Sequence, residues 1–363
     1  MKFEVISGDN QERWNHYILL LPEADIYFTA EYCKIYEKNG EGKATLAVYE
    51  DGDNIICYPY LLRSINHLPI IRTLDLQEEW YDITTPYGYG GPISNIKEPQ
   101  KRERLFADFQ KRFGQYCQEN RIIAEFVRFH PILKNYEYYR AVNPVFMRNT
   151  IHVSLEGTEQ EINQRFSPDN RNRIRKAKKE GLTTNFSDPK RLEHLVRLYY
   201  STMDRKHANG YYYFSENFFT NTVSLLEGHV QLIEVKAGNL VVASSLFMHY
   251  NKYVHYHLMG ASREYLRLAP VNLLLSEAIQ WAKDKGYQYM HLGGGYTGND
   301  NLFRFKRTFN SESVLDYYIG RKVHLPEVYG HISKCLNMSD EYFPVYRHPL
   351  LEQHIRMTAT TIS

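Results

Sequence analysis

The chain has 363 residues, of which 43% are hydrophobic and 24% are charged, and its formal net charge is +2. This composition excludes a disordered, collagen-like or coiled-coil protein, and the balanced charge excludes a protein whose whole surface coats nucleic acid, so any basic surface must be local. At roughly 150 residues per domain, the length predicts about two domains.

The N-terminus and the apolar runs predict neither a secretory signal nor a membrane span. The first six residues lead directly into a polar stretch, without the basic and apolar regions of a signal peptide. The longest apolar runs, such as residues 18–21, are far shorter than the roughly 20 residues that cross a bilayer. The cysteines lie too far apart for a metal-binding or disulfide pattern; they are Cys33, Cys57, Cys117 and Cys335. We therefore expect a cytoplasmic protein with no metal site and no integral membrane segment.

The hydrophobic periodicity of the first half predicts alternating strands and helices. Strands are expected at residues 3–6, 44–49, 55–61 and 122–129, and helices near residues 11–20, 30–39 and 97–119. Thr29 is a plausible N-cap of the second helix, and the Asp51-Gly52 turn is a strong hairpin signal. A third extended stretch after the hairpin ends in a loop rich in Gly and Pro, residues 84–92, which precedes the long helix.

The second half repeats this order of elements. Strands are expected at residues 150–155, 230–235, 240–249, 253–259, 287–292 and 314–319, and helices near residues 159–180, 191–209, 216–226, 270–286 and 302–308. The order β-α-α-β-β-β-α-β therefore occurs twice, at a spacing of about 150 residues, the size of one typical domain. The sequence predicts an α/β fold with an α+β mixed sheet, in domains 1–148 and 149–322, followed by a C-terminal tail, 323–363.

A glycine-rich loop, residues 293–298, formally satisfies G-x-G-x-x-G after a predicted strand. A dinucleotide site is excluded because the remaining chain is too short for the βαβ unit that this fingerprint must open. We interpret the loop as a place where backbone approaches a substrate, since four glycines exceed what a turn requires; a tight turn with positive φ is the alternative. The candidate substrate-binding residues here are Gly293, Gly294, Gly295 and Tyr296.

Residues 165–179 carry seven cations and a single acid, Asp169. Arg171, Arg175 and Lys179 are spaced i, i+4, i+8, which places them on one face of a helix. Such a face can neutralise the phosphates of RNA, of a nucleotide or of lipid head groups. A charge run is usually a solvated helix face, and the two interpretations stay open.

Two further groups combine cations with aromatic rings. Arg205 precedes an aromatic run in which Tyr212 is a candidate cleft wall, and its guanidinium can hold a phosphate with two hydrogen bonds; helix capping is the alternative. Lys306 lies on about one turn of helix after the glycine-rich loop and can stabilise a developing oxyanion. An amphipathic turn that buries a Phe ring and exposes its cations is the alternative there.

Other catalytic motifs are absent. His255 and His257 share a face of a predicted strand, but no third ligand is near, so a core or cleft-lining position is expected rather than a metal site. The sequence contains no G-x-S-x-G, no H-E-x-x-H and no P-loop. It therefore lacks the motifs of the corresponding hydrolases, zinc proteases and NTPases.

Together these segments resemble the Fem-type aminoacyltransferases and the related acyltransferases of the GNAT superfamily. Residues 170–181 are similar to the family's basic helix ending in Lys-x-Gly, and residues 291–294 and 302–306 are similar to its glycine loop and the helix that follows. Residues 28–32 and 89–92 are similar to its early helix and Gly-Pro loop. The resemblance covers about residues 25–320 and implies two tandem GNAT-like domains, without the coiled-coil arm of some members because no long heptad stretch exists.

The resemblance also implies an activity: transfer of an activated acyl or aminoacyl group to an amine, often in peptidoglycan cross-bridge synthesis. It implies a small-molecule or glycopeptide acceptor, aminoacyl-tRNA or acyl-CoA as the donor, and no tightly bound cofactor. Phe305 and Lys306 match the family's catalytic Phe-Lys pair, and Arg205 matches an arginine that grips acceptor phosphates. Tyr87, in the loop 84–92, is a further candidate for substrate binding.

Some positions depart from the family's pattern. Asn95 stands where the family often has Asp, which removes a candidate general base, and Tyr32 stands where Trp is common. Residues 267–272 do not fit the glycine-bearing pyrophosphate loop of acetyl-CoA-dependent members, which counts against acetyl-CoA. The competing hypothesis is a catalytically silent protein that binds a phosphorylated glycan, nucleotide or RNA through residues 171–179 and Arg205.

Overall fold

A computed structural model describes residues 1–68, 71–72, 78–334, 336, 342–349 and 351; Cys335 and the remainder of the predicted tail lie outside them. The first elements are β1 (Lys2–Ser7), α1 (Gln11–Leu19), α2 (Ala30–Lys38), β2 (Lys43–Asp51), β3 (Asn54–Ser64), β4 (Tyr81–Thr84), β5 (Ile93–Ser94), α3 (Pro99–Glu119), β6 (Ile122–Arg128) and β7 (Val145–Ser154). The next are α4 (Glu159–Gln164), α5 (Pro168–Lys179), β8 (Leu182–Ser187), α6 (Glu193–Lys206), α7 (Glu216–Leu225), β9 (Val230–Ala237), β10 (Leu240–Tyr250) and β11 (Tyr253–Ala261). The last are α8 (Pro270–Asp284), β12 (Tyr289–Gly294), α9 (Asn301–Arg307), β13 (Val314–Val323) and α10 (Pro326–Lys334).

The chain divides into two compact units. The first unit contains Met1–Glu23, Tyr27–Met147 and the described residues from Tyr318 onward, and the second contains Ala24–Ile26 and Arg148–Tyr317. The described helices include none with both the length and the apolar composition to cross a membrane.

The first unit is a mixed sheet with the strand order β1-β2-β3-β4-β6-β13, and β5 pairs with β3. The predicted hairpin between β2 and β3 is confirmed, because Asp51 pairs with Asn54 across the turn. Thr29 caps α2 as predicted, since its side chain accepts a hydrogen bond from the backbone N–H of Tyr32. The buried rings of α3, among them Phe109 and Phe113, form the core of this unit with rings from the sheet.

The described residues after β13 also belong to the first unit. Residues 319–323 of β13 pair with β6, and Ile332 of α10 packs in a cluster with Ile123 and Tyr346. Arg347 donates a hydrogen bond to Asp82 across 2.5 Å. The structure thus ties this part of the predicted tail, 323–363, to the unit that also contains the N-terminus.

The second unit has the strand order β7-β12-β11-β10-β9-β8. Its hydrophobic cluster joins the central strands to the buried residues of α5 and α8, such as Ile174 and Leu274. Proline begins α8 at Pro270 and Gly286 follows its end, as the cap preferences predict. Apart from β8, the predicted strands and helices therefore occur in this unit around the parallel pair β11 and β12. The helix predicted near residues 159–180 is two helices, α4 and α5.

In the second unit one strand was not predicted, and the bounds of another differ from the prediction. β8 was not predicted, because it is an edge strand in which only Leu182 is buried. Its residues lack the apolar alternation that marks a half-buried strand. The strand predicted at residues 287–292 is β12, which begins two residues later, at Tyr289, and ends two residues later, at Gly294. Gly293 and Gly294 are therefore strand residues, and the irregular loop begins at Gly295.

Candidate active site

The candidate site lies where two parallel strands stop pairing. β11 and β12 pair only at residues 253–255 with residues 289–291 within residues 148–317, all of which the structure describes. Beyond this point β11 continues along β10 to Ala261, whereas β12 continues along β7 to Gly294. The strands therefore diverge at their carboxyl ends, the edge at which open sheets with parallel strands bind ligands.

Glycines shape the end of β12. A bulge lies between His291 and Gly293 in the pairing with β7, and Gly293 has a φ of +76°, a conformation that favours glycine. A Cβ at Gly294 would lie 2.8 Å from the carbonyl oxygen of Asn149, and a Cβ at Gly295 would lie 2.3 Å from Oδ1 of Asp300. These glycines allow close approach of the backbone within the protein, and their contact with a substrate stays a prediction.

Asp300 organises the loop after β12. Its carboxylate accepts hydrogen bonds from the backbone N–H groups of Tyr296, Thr297 and Phe303 across 2.5, 3.0 and 2.8 Å. Burial raises the pKa of Asp300, but these backbone hydrogen bonds outweigh it and lower the pKa overall. Sequence analysis missed this residue, although aspartate before a short helix is an N-cap signal.

A second anchor of the same loop comes from β7. Arg148 donates hydrogen bonds to the carbonyl oxygens of Gly295 and Tyr296 across 3.1 and 2.8 Å. No sequence signal marks Arg148, because it lies almost 150 positions before its partners. The two anchors hold the main chain of the loop while the Tyr296 ring remains 54% exposed.

Lys306 is buried at the diverging strands. Its side chain is on the last turn of α9, and the residue is only 8% exposed. Its Nζ donates a hydrogen bond to the carbonyl oxygen of Gly294 across 2.7 Å and lies 5.8 Å from the centre of the Tyr256 ring on β11. The alternative of an amphipathic turn that exposes its cations holds for Arg304 and Arg307 but is wrong for Lys306.

Phe305, the other member of the predicted pair, has a different environment. Its ring is partly buried against the hydrophobic cluster of the second unit and meets the ring of Phe309 edge-on at 5.6 Å. The Phe305 side chain therefore packs the helix that carries Lys306.

Burial changes the acidity of the Lys306 ammonium. It lowers the pKa from 10.5 to about 8, and the negative charge of Asp300 offsets part of this effect. Lysine at this position is therefore cationic at neutral pH and loses its charge within the mildly alkaline range.

We expect this titration to appear in the pH dependence of the reaction. If the ammonium is required, the activity of the wild type divided by that of Lys306→Arg falls as the pH rises through about 8, because arginine keeps its charge. The ratio removes the titration of the amine substrate, which is common to both proteins. Steady-state rates from pH 6 to 10 measure it, and a ratio that stays constant would contradict a role for the ammonium.

Arg205 is on the last turn of α6 and contacts the end of β11. It donates hydrogen bonds to the carbonyl oxygen of Ala261 and to Oγ1 of Thr202, across 3.1 and 3.2 Å. A cavity of about 520 Å³ is lined by Ser201, Arg205, His207 and Arg263. Burial, and secondarily the charge of Arg263, lowers the pKa of Arg205. The cavity presents positive charge because the guanidinium groups of both arginines line it.

The segment that contains these features matches a known family. Residues 165–307 match the family model of the acetyltransferase (GNAT) domain. This segment of the chain is therefore similar to GNAT acetyltransferase domains. The matched segment includes Arg205, the glycine-rich loop and Lys306, and no protein with curated functional information matches the sequence.

Solved structures with a similar fold match most of the length of the chain. The crystal structure of FemX is 13% identical, with a TM-score of 0.68, and the match covers 92% of this chain and all of that one. The C-terminal domain of a protein described as a candidate lysylphosphatidylglycerol synthetase, from Agrobacterium fabrum, is 13% identical with a TM-score of 0.51, covering 86% of this chain and 91% of that one. These similarities confirm the predicted α/β fold of the Fem type with tandem GNAT-like halves.

Most cations of the basic segment, residues 165–179, bind other groups of the second unit. Arg171 donates hydrogen bonds to the carbonyl oxygens of Gln164 and Phe166. Other cations of the segment bind within the unit: Arg165 to Ser154 and Glu156, Arg173 to Asp169, Lys176 to Arg267, and Lys178 to Glu277. Arg175 and Lys179 are exposed on the predicted face. Ligand binding by this face stays a prediction. The Arg171 guanidinium is already hydrogen-bonded to main-chain carbonyl groups.

An aromatic wall lies beside the glycine-rich loop. The rings of Tyr212 and Tyr296 are 6.0 Å apart, and the carbonyl oxygen of Tyr212 accepts a hydrogen bond from the hydroxyl of Tyr199. His255, predicted as a core or cleft-lining residue, is buried and donates a 2.7 Å hydrogen bond from Nε2 to Asp25, which belongs to the same unit.

In the first unit, the structure gives Tyr87 and Asn95 different environments. Tyr87 is exposed, and its carbonyl oxygen accepts a hydrogen bond from the hydroxyl of Tyr32 across 2.5 Å. Asn95 accepts a hydrogen bond from the backbone of Ile55 and donates one to that of Asp53. The Asn95 side chain therefore stabilises the β2–β3 hairpin, a role that its amide can perform and that requires no carboxylate.

Proposed function

We propose that this protein is a GNAT-type acyltransferase that transfers an activated acyl group to an amine at the diverging ends of β11 and β12, with Lys306 as the group that stabilises the reacting carbonyl. The observation that carries the proposal is the buried ammonium of Lys306, fixed by Gly294 at the end of β12. Among the described residues no carboxylate forms an ion pair with it. Its positive charge is therefore available to a group that enters the site.

The chemistry of acyl transfer suits such a cation. The amine nitrogen attacks the carbonyl carbon, a C–N bond forms, and the carbonyl oxygen becomes negative. The bond from carbon to the leaving group then breaks as the oxygen regains its double bond, and the nitrogen gives up a proton to the leaving group or to water. A fixed cation in a site that excludes water stabilises the intermediate more than the substrate, so Lys306 lowers the barrier.

The donor that we propose is an acyl thioester of coenzyme A, with aminoacyl-tRNA as the alternative. The match to the GNAT domain supports the former. α8 begins after a 3-10 helix, Arg263–Leu268, that follows β11. No side chain caps the N-terminus of α8, and Arg263 and Arg267 lie just before it. Helix N-termini and arginines bind phosphates, and both donors carry phosphates.

The acceptor that we propose is the amine of an anionic small molecule or glycopeptide, such as a phosphorylated peptidoglycan precursor met in the cytoplasm. The cavity at Arg205 and Arg263 supports this choice, because two guanidinium groups line it. The aromatic rings of Tyr212 and Tyr296 offer apolar faces on which a sugar or base can pack.

Mass spectrometry of the acceptor tests the proposal. The wild type is incubated with a panel of acyl-CoAs and aminoacyl-tRNAs, each with amine acceptors that include a nucleotide-linked muropeptide. We expect one donor and acceptor pair to give the acceptor a mass increase equal to the acyl group. Arg304→Ala, on the same turn but exposed, should retain the product, and Lys306→Ala should lose most of it. A wild type that transfers nothing from any donor, while binding a phosphorylated acceptor, would instead indicate the catalytically silent protein.

A further inference from the structure

Tyr256 carries a hydroxyl group that the fold leaves without a partner. Its oxygen is buried, and the described residues provide it with no hydrogen bond. Buried tyrosine hydroxyls normally have a partner, and an unsatisfied one lowers stability. A hydroxyl of this kind points to a function that compensates for the loss.

The position of Tyr256 connects this hydroxyl to the candidate site. His255 and His291 form the last pair between β11 and β12, so Tyr256 is the first residue of β11 after the strands separate. Its ring packs on the hydrophobic cluster that also contains α8, and its centre lies 5.8 Å from Nζ of Lys306. The ring that carries the unpartnered hydroxyl and the buried ammonium of Lys306 are therefore neighbours where the two strands separate.

We propose that Tyr256 is a second catalytic hydrogen-bond donor, whose O–H binds the carbonyl oxygen of the acyl group during transfer. This inference rests on the proposed acyl transfer at Lys306. The O–H keeps its proton throughout: it donates a hydrogen bond that strengthens as the oxygen becomes negative and weakens when the C=O bond re-forms. The ligand is thus the carbonyl of a thioester or ester.

Two properties of the site favour a donor over a base or a packing group. Burial raises the pKa of Tyr256 well above its usual value, so the hydroxyl stays protonated wherever the enzyme works. The adjacent ammonium of Lys306 attracts an oxygen with developing negative charge and repels a cationic amine. A ring needed for packing alone would lose nothing as phenylalanine.

The test is Tyr256→Phe, which removes the hydroxyl and keeps the ring. We expect kcat to fall by about 100-fold, the scale for one oxyanion donor, with KM for the donor little changed. The midpoint of urea unfolding should stay the same or rise, because an unsatisfied buried group disappears. Tyr265→Phe, which alters a partly buried ring on the same cluster, should match the wild type in both measurements.

The outcomes separate this inference from the proposed function. If Lys306→Ala loses activity while Tyr256→Phe keeps the wild-type kcat, the hydroxyl is not catalytic and the proposed transfer stands. If Tyr256→Phe lowers the unfolding midpoint in parallel with kcat, the hydroxyl is structural and the inference is wrong. If the wild type transfers no acyl group from any donor, both the proposed function and this inference fail.

Discussion

Lys306→Ala is expected to lower kcat by about 100- to 1000-fold, the range for losing one oxyanion donor. The KM values should change far less, because the ammonium acts mainly on the charge that develops in the transition state. Lys306→Arg should restore the activity only in part, since a planar guanidinium is longer than an ammonium and places its hydrogen bonds differently. Steady-state kinetics with the donor and acceptor identified by mass spectrometry measure these effects.

Arg304→Ala and Arg205→Ala are the comparisons for this prediction. Arg304 is exposed on α9, so its replacement should leave kcat near the wild-type value. Near wild-type turnover for Lys306→Ala, together with a complete loss for Arg205→Ala, would show that Lys306 is structural. Positioning of the acceptor by Arg205 would then be the main catalytic contribution.

The second large effect concerns the contact between α6 and β11. Gly260→Ala is expected to reduce the free energy of unfolding by about 3 kcal/mol, the upper range for overpacking. A Cβ at residue 260 would lie 2.2 Å from backbone atoms of both Leu198 and Tyr199, and a helix backbone cannot give way as a side chain can. Urea unfolding measures the change.

Gly210→Ala is the matched control, because a Cβ at that position has no heavy atom within 4 Å. It should leave the unfolding midpoint almost unchanged. Equal midpoints for the Gly260 and Gly210 variants would contradict the close packing of α6 on β11. Since α6 carries Arg205 and β11 carries Tyr256, a shift of this contact should also lower transfer activity.

Local signals predicted the elements that are stabilised by local contacts. Thr29 caps its own helix, and the β2–β3 hairpin closes between Asp51 and Asn54, both within a few residues. β8 was missed because its stabilisation comes from pairing with β9 and not from an apolar pattern of its own. Propensity and periodicity describe a segment, whereas edge pairing depends on a distant strand.

The candidate site depends still more on distant contacts. The resemblance and the spacing identified Lys306, but its burial results from packing that brings it to Gly294, 12 residues earlier. β11 and β12 diverge because β11 stays paired with β10 while β12 stays paired with β7. The sequence of any one of these four strands does not determine this pairing. Arg171 shows the converse. Its place in a charge run made it a candidate for binding a ligand, whereas its guanidinium donates hydrogen bonds to the carbonyl groups of Gln164 and Phe166.

A crystal structure with an unreactive analogue that joins the acyl group to the acceptor amine tests the central claim most directly. The analogue would carry a tetrahedral or ketone group in place of the reacting carbonyl. We predict that its oxygen lies about 3 Å from Nζ of Lys306, the distance of an oxyanion donor, between the separated ends of β11 and β12. An analogue bound with this oxygen away from both strand ends, and out of reach of Lys306, would contradict the account.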